Sequence, residues 1–290
     1  MRSSLSLVAL CVAMAVSGAA ADSHYHPVEN WGQSKWAAVT GVDVDAQDNV
    51  YVFQRSESKP IEVFDRDGKL LRSWGDGMFR TPHFLRVDPA GRVWVTDRGH
   101  QQVFEFDASG KLLMTLGKKD VTGDNTSQEA FDGTADVAVA KEGEIFLADG
   151  EGANTRVVKF SPDGKFVSWW GGKGTEPGQF NVPHSIAIGD DGRIYVADRS
   201  NNRIQIFDTS GKFLAQWTNF GTPWGLFVKG GLIYCVDGTD NNVLLIADTK
   251  DGKILDRIEG LHNPTAVTVD STGAIYVGEV NGASVKKFVK

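Results

Sequence analysis

The 290-residue chain has few cysteines, no second long apolar run and no excess of basic charge. Of its two cysteines, Cys11 lies in the N-terminal apolar segment and Cys235 remains. An exported chain with one cysteine has no internal disulfide. No apolar stretch of 18 residues follows residue 21, which excludes a helical membrane span there. The formal net charge of −7 argues against nucleic acid as a partner, because binding phosphates requires a basic surface.

The first 21 residues have the composition of a secretory signal peptide. Arg2 supplies the positive start, residues 5–16 form an apolar run, and Ala19-Ala20-Ala21 provides the small residues of a cleavage site. We therefore expect a secreted or periplasmic protein that is cleaved near Ala21.

Six segments of about 40 residues repeat along the rest of the chain. Each contains short runs of alternating apolar residues, typical of β-strands, separated by turns such as Asp191-Gly192 and Ser210-Gly211. Four-stranded units repeated in this way are typical of propeller blades. The segments are 36–75, 81–117, 133–171, 182–217, 222–258 and 263–290.

These repeats predict an all-β, six-bladed propeller that forms a single domain over residues 22–290, and we expect a monomer. The last segment stops at its third strand. Trp31-Gly32 resembles Trp74-Gly75 and Trp170-Gly171, which end outer strands. We therefore expect residues 27–35 to supply the missing strand, which would tie the two ends of the chain together.

The position just before each inner strand defines the first of two rings of aligned residues. His83 in blade two and His184 in blade four would face one axis, where two imidazoles can share zinc or another divalent metal. The alternative is that both histidines are packing residues. Trp224, on the same ring, would line a substrate pocket. The six positions are Thr40, His83, Ala135, His184, Trp224 and Thr265.

The second ring follows the second strand of each blade. It carries Arg55, Arg98 and Arg199, and arginine suits a carboxylate because its fork donates to two oxygens. The alternative is that these arginines pair with framework aspartates. The recurring aspartates themselves are expected to bond to backbone amides in turns, so calcium is not an expected cofactor. They are Asp88, Asp97, Asp149, Asp198 and Asp237.

The repeats resemble those of NHL-type propellers, and in particular the peptidyl-α-hydroxyglycine α-amidating lyases. The resemblance covers nearly all of the mature chain. It is carried by segments such as Pro82-His83-Phe84-Leu85, residues 177–185 (PGQFNVPHS) and Val196-Ala197-Asp198-Arg199. In that family three histidines bind zinc, and the enzyme cleaves its substrate into a peptide amide and glyoxylate. The resemblance implies His83 and His184 as two zinc ligands, with Arg55 and Arg199 as active-site arginines.

Three residues depart from that family's pattern. Thr265 stands where the third histidine is expected, Ala266 replaces an acidic residue that helps hold a structural calcium, and Glu151 replaces the catalytic tyrosine. Glu151 is then a candidate to complete the metal site or to act as a general base.

The resulting hypothesis is an exported, zinc-dependent lyase acting at the channel mouth on a small carboxylate-bearing or peptide-like substrate. Its candidate catalytic residues are Arg55, Arg199 and Glu151, and its candidate substrate-binding residues are Arg98 and Trp224. Two alternatives remain open: a non-enzymatic NHL propeller that binds a peptide or protein, and a lactonase-like metal-dependent hydrolase.

Overall fold

The computed structural model describes residues 23–32, 35–239 and 241–290, and these residues are all-β apart from one short 3-10 helix, Arg199–Asn201. The strands, in chain order, are β1 His26–Val28, β2 Val39–Val44, β3 Val50–Gln54, β4 Ile61–Phe64, β5 Leu70–Trp74, β6 Pro82–Val87, β7 Val93–Asp97, β8 Gln102–Phe106, β9 Leu112–Leu116, β10 Thr134–Val139, β11 Ile145–Asp149, β12 Arg156–Phe160, β13 Phe166–Gly171, β14 Pro183–Ile188, β15 Ile194–Asp198, β16 Arg203–Phe207, β17 Phe213–Trp217, β18 Pro223–Lys229, β19 Leu232–Asp237, β20 Val243–Asp248, β21 Ile254–Ile258, β22 Pro264–Val269, β23 Ile275–Glu279 and β24 Ser284–Val289.

These strands form six antiparallel four-stranded sheets, which confirms the predicted six-bladed propeller. Blades one to five each use four consecutive strands, from β2–β5 in blade one to β18–β21 in blade five. Blade six combines β22, β23 and β24 with β1. The turn glycines have the positive φ that such tight turns require, for example 76° at Gly192 and 85° at Gly211.

The inner strands make the wall of a central channel. Each inner strand contacts the next, from β2 and β6 round to β18 and β22, and β22 contacts β2. The hydrophobic core lies between neighbouring blades, as where Phe53 of blade one packs near Val95 and Phe104 of blade two. The outer strands are only half covered, so their residues alternate between partly buried and exposed, as in β17.

The closing strand is shorter than the predicted 27–35. Only His26–Val28 pairs with β24, with His26 opposite Val289 and Val28 opposite Lys287. Trp31 does not end a strand. It is buried against Phe64 and Tyr276 and donates from its indole nitrogen to the Arg66 carbonyl. Burial of this large ring therefore turns the chain inward after β1, and residues 33 and 34 lie outside the described part of the chain.

Two further features of the sequence are the predicted signal peptide and the remaining cysteine, Cys235. The predicted signal peptide, residues 1–21, lies outside the described residues and stays a prediction. Cys235 is fully buried in β19, and burial raises the pKa of its thiol well above the usual value. No helix in the described residues has the length and apolarity needed to cross a membrane.

Candidate active site

A β-bulge at the start of every inner strand positions the first ring of side chains. In blade two the register between β6 and β7 shifts between Pro82 and Phe84, and the residue left unpaired is His83. In blade four the equivalent shift leaves His184 unpaired. A bulge re-aims the side chain of its extra residue. The same irregularity recurs at Thr40, Ala135, Trp224 and Thr265.

The two rings of aligned residues meet in one cavity of about 270 Å³ at one mouth of the channel. Each arginine of the second ring directly follows the second strand of its blade. Its backbone amide donates to the carbonyl two residues before the bulge of the same blade, which is Ala38 for Arg55, Thr81 for Arg98 and Val182 for Arg199. All seven candidate site residues line this cavity. The complete lining is Thr40, Arg55, His83, Arg98, Glu151, His184, Arg199, Trp224, Asn263, Thr265 and Val280.

The two histidines direct their Nε2 atoms into the cavity. His83 Nδ1 lies 2.8 Å from the Ala135 carbonyl, and His184 Nδ1 lies 2.7 Å from the Trp224 carbonyl. A carbonyl oxygen only accepts, so each Nδ1 donates, and Nε2 is the ring nitrogen that is left to face the cavity. Burial, with the charges of Arg199 and His83, lowers the pKa of His184 to about 3 despite the opposing charge of Glu151.

Glu151 sits between the histidines and two arginines. Its carboxylate oxygens lie 2.6 Å from Arg98 Nη1 and 2.8 Å from Arg199 Nη1. Burial alone would raise the pKa of this carboxyl, but His83, His184 and Arg199 together hold that pKa well below its usual range. Glu151 is therefore ionised at neutral pH and is a weak proton acceptor, which favours a role as ligand over a role as general base.

The third arginine is left available to a ligand. Arg55 donates from Nε to the Pro82 carbonyl at 3.3 Å, and its two Nη atoms make no hydrogen bond or ion pair with the described residues. Arg199, in contrast, lies over the Trp224 ring at 4.5 Å, and that ring also donates to Thr239 Oγ1. The cavity therefore combines the Arg55 guanidinium, whose Nη atoms are unpaired, with a wall formed by the stacked side chains of Arg199 and Trp224.

The side chains of His83, His184 and Glu151 converge at distances that suit a divalent metal. His83 Nε2 lies 3.7 Å and His184 Nε2 lies 3.5 Å from the carboxylate of Glu151, and the three ligand atoms fall within 4.8 Å of one another. Bonds of about 2.1 Å in tetrahedral geometry place ligand atoms roughly 3.4 Å apart. Glu151 Oε1 is buried and accepts no hydrogen bond of good geometry, although Arg199 Nη1 lies 2.8 Å from it, so this oxygen has room for a further electropositive partner.

The framework aspartates have other partners, so the alternative pairing of the ring arginines with them is not what the structure shows. Asp97 accepts from the backbone nitrogens of Arg80 and Thr81, and Asp198 accepts from Asn181 N and Arg203 Nε. Bonds of this kind to backbone amides agree with the predicted turn role.

Blade six contributes no charged side chain to the cavity. Thr265 and Asn263 line it, whereas His262 is exposed and lies outside its lining.

Asn263 was not singled out from the sequence. Its signal is an asparagine directly before Pro264, a place where the backbone has φ = 53°, which asparagine tolerates better than most residues.

Comparison with known proteins agrees with the fold. The family sequence model of the NHL repeat matches residues 79–106 and 180–207 of this chain. A probable peptidyl-α-hydroxyglycine α-amidating lyase of Caenorhabditis elegans is 41% identical over 148 residues, half of this chain and 41% of the relative. Peptidyl-glycine α-amidating monooxygenase B of Xenopus laevis is 33% identical over 275 residues, 85% of this chain and 31% of the relative.

This chain therefore spans less than half the length of either relative. A streptogramin B lyase structure superposes with a TM-score of 0.65, covering 91% of this chain and 97% of that one at 14% identity. That likeness shows the fold alone. The molecule is thus a six-bladed propeller with two segments that match the NHL repeat, and it resembles the peptidyl-α-hydroxyglycine α-amidating lyases in sequence.

Proposed function

We propose that this protein is a metal-dependent lyase that cleaves a peptidyl-α-hydroxyglycine into a peptide amide and glyoxylate. The observation that carries the proposal is the convergence of three metal-ligating side chains, His83 through Nε2, His184 through Nε2 and Glu151 through its carboxylate, in a cavity that also holds the Arg55 guanidinium. The relatives named as amidating lyases support the reaction type.

His83, His184 and Glu151 would hold the metal, with zinc the first candidate because nitrogen and carboxylate ligands suit it. Such an ion lowers the pKa of an oxygen bound to it and stabilises negative charge there. Thr265 stands at the position of the family's third histidine, and Glu151 would supply the third ligand from blade three instead. Arg98 and Arg199 hold its carboxylate in position, as outer partners do for metal ligands.

The remaining residues bind and orient the substrate. Arg55 is placed to take the carboxylate of the α-hydroxyglycine through its free Nη atoms. Trp224, braced by Arg199, forms an apolar wall that limits water in the cavity. In the reaction the hydroxyl oxygen loses its proton and forms the carbonyl of glyoxylate, while the carbon–nitrogen bond breaks and the amide nitrogen gains a proton.

The test is metal content, measured by elemental mass spectrometry, beside glyoxylate release from a peptidyl-α-hydroxyglycine. We expect about one divalent metal per chain and glyoxylate release in the wild type, and loss of both in the His83→Ala, His184→Ala double variant. Glu151→Gln should weaken metal binding by more than about tenfold, since loss of a mere supporting residue already costs that much.

His262→Ala is the matched control, because this histidine is exposed and outside the cavity. It should keep the wild-type metal content and activity. A wild type that takes up no metal after reconstitution, or a double variant that releases glyoxylate at the wild-type rate, would overturn the proposal.

A further inference from the structure

The cavity at the channel mouth is too small for a whole peptide. Its volume of about 270 Å³ is below the range of about 300–1,000 Å³ typical of sites that enclose drug-sized ligands. The α-hydroxyglycine end of the proposed substrate fills it. The peptide part must therefore leave the cavity along the surface of the propeller.

One wall residue of the cavity opens onto a second concave surface. Arg98 lines both the mouth cavity and a neighbouring cavity of about 390 Å³. We call this second cavity the loop groove, and its lining includes Arg80, Thr81, Arg98, Gly99, Asp120 and Thr122. Thr122 also borders a third cavity of about 420 Å³ under the loop that joins blades two and three. The concave surface thus continues from the channel mouth along this loop.

The loop that contributes Asp120 and Thr122 to the loop groove is anchored further along its length. The connection between β9 and β10 is anchored by Arg156, which is fully buried and donates to the carbonyls of Asn125, Ser127 and Ala130. Asn154 donates to the Gly123 carbonyl. Because the buried Arg156 guanidinium already holds this loop in place, a ligand that binds beside the loop would not have to order it.

The charge of the loop groove favours an acidic side chain. The Arg80 side chain is 65% exposed, and its one ion pair within the described part of the chain is with Asp120 at 3.5 Å, a length at the limit of a hydrogen bond. Asp120 is engaged more closely by His100 Nδ1 at 2.8 Å. The Arg80 guanidinium is therefore available, whereas the acidic group beside it is already paired.

We propose that the loop groove is a subsite for the peptide part of the substrate and that Arg80 selects an acidic side chain upstream of the α-hydroxyglycine. The inference rests on the proposed function and adds the substrate class: an extended peptide carrying an aspartate or glutamate a few residues from the reacting end. Arg80 acts on binding and touches none of the reacting atoms.

The test compares a one-residue acyl-α-hydroxyglycine with four-residue peptidyl-α-hydroxyglycines that carry Asp, Asn or Lys at each upstream position in turn. In the wild type the Asp peptide should have the lowest KM at one position. Arg80→Gln should raise that KM by up to roughly fivefold, the upper end of the range for an exposed ion pair. It should leave kcat and the one-residue substrate unchanged. Arg80→Glu should shift the preference to the Lys peptide.

Arg257→Gln is the matched control, since Arg257 is also an exposed, ion-paired arginine but lies on β21 of blade five. It should leave every KM unchanged. If the one-residue substrate is cleaved but peptide length and charge have no effect on KM, the loop groove is not a subsite and the proposed function stands.

If no substrate is cleaved, the proposed function fails. The loop groove is then judged by equilibrium binding of the same peptides ending in unhydroxylated glycine. Preferential binding of the Asp peptide that Arg80→Gln removes would support the subsite. Equal binding by the wild type, Arg80→Gln and Arg80→Glu would overturn it.

Discussion

Val182, the residue two positions before His184, has a left-handed backbone with φ = 62°. A β-branched residue is strained in this region, at a cost of about 1–2 kcal/mol. Its carbonyl accepts from the Arg199 amide at 3.0 Å, so the conformation couples the two rings of the site. Strain of this kind collects at functional sites, where the surrounding structure enforces it.

Val182→Asn should therefore stabilise the protein. Asparagine tolerates a left-handed backbone, and Asn263 occupies the equivalent position of blade six with φ = 53°. We expect the free energy of unfolding in urea to rise by about 1 kcal/mol. Thr81→Asn, at the equivalent position of blade two, is the control, because Thr81 is not left-handed. A gain in the control as large as in Val182→Asn would show that strain is not the cause.

The candidate side chains were predictable from the sequence, because aligned repeats place His83, His184 and Glu151 at equivalent ends of strands. Their chemistry was not. The bulge that leaves each histidine unpaired, and the carbonyl that orients its ring, depend on strand register. The pairing of Glu151 with Arg98 and Arg199 joins three blades, and no spacing within one repeat encodes it.

At the scale of elements, the connections between blades are anchored by arginines that point back into them. Arg156 pairs with Asp149, and both side chains are fully buried. Arg203 repeats the arrangement in blade four, where it pairs with Asp198 and donates to the carbonyls of Thr175, Glu176 and Gln179. The sequence predicted the aspartates as turn residues but not these anchors, since their partners are backbone carbonyls in irregular loops.

Arg156→Met should cost about 3–5 kcal/mol of unfolding free energy, because it leaves the buried Asp149 carboxylate without its cation. Backbone amides in residues 123–131 should exchange hydrogen faster than in the wild type, since that loop loses three hydrogen bonds. Arg257→Met, at an exposed ion pair, is the control. A loss no larger than that of the control would mean that Arg156 does not anchor the loop.

For the whole molecule, the blade count and their boundaries were predictable because a repeat of fixed length leaves few alternatives. The way in which the ring closes was harder to predict from the sequence. The strand that completes blade six has three residues, too few for an alternation pattern, and Trp31 resembled the tryptophans that end outer strands. Its buried position depends on contacts with Phe64 of blade one and Tyr276 of blade six, which lie far apart in sequence.

Trp31→Ala should weaken the junction between the first and last blades and cost about 3–5 kcal/mol of unfolding free energy, the usual range for a buried tryptophan. Trp169→Ala is the matched control, because Trp169 is 37% exposed on β13 and should cost no more than about 0.5 kcal/mol. Hydrogen exchange in Trp31→Ala should quicken first in β1, β24 and β4, where the ring is joined, and last in blades three and four. Equal losses in the two variants, or uniform exchange across the six blades, would show that Trp31 does not fasten the ring and that the contact of β22 with β2 suffices to close it.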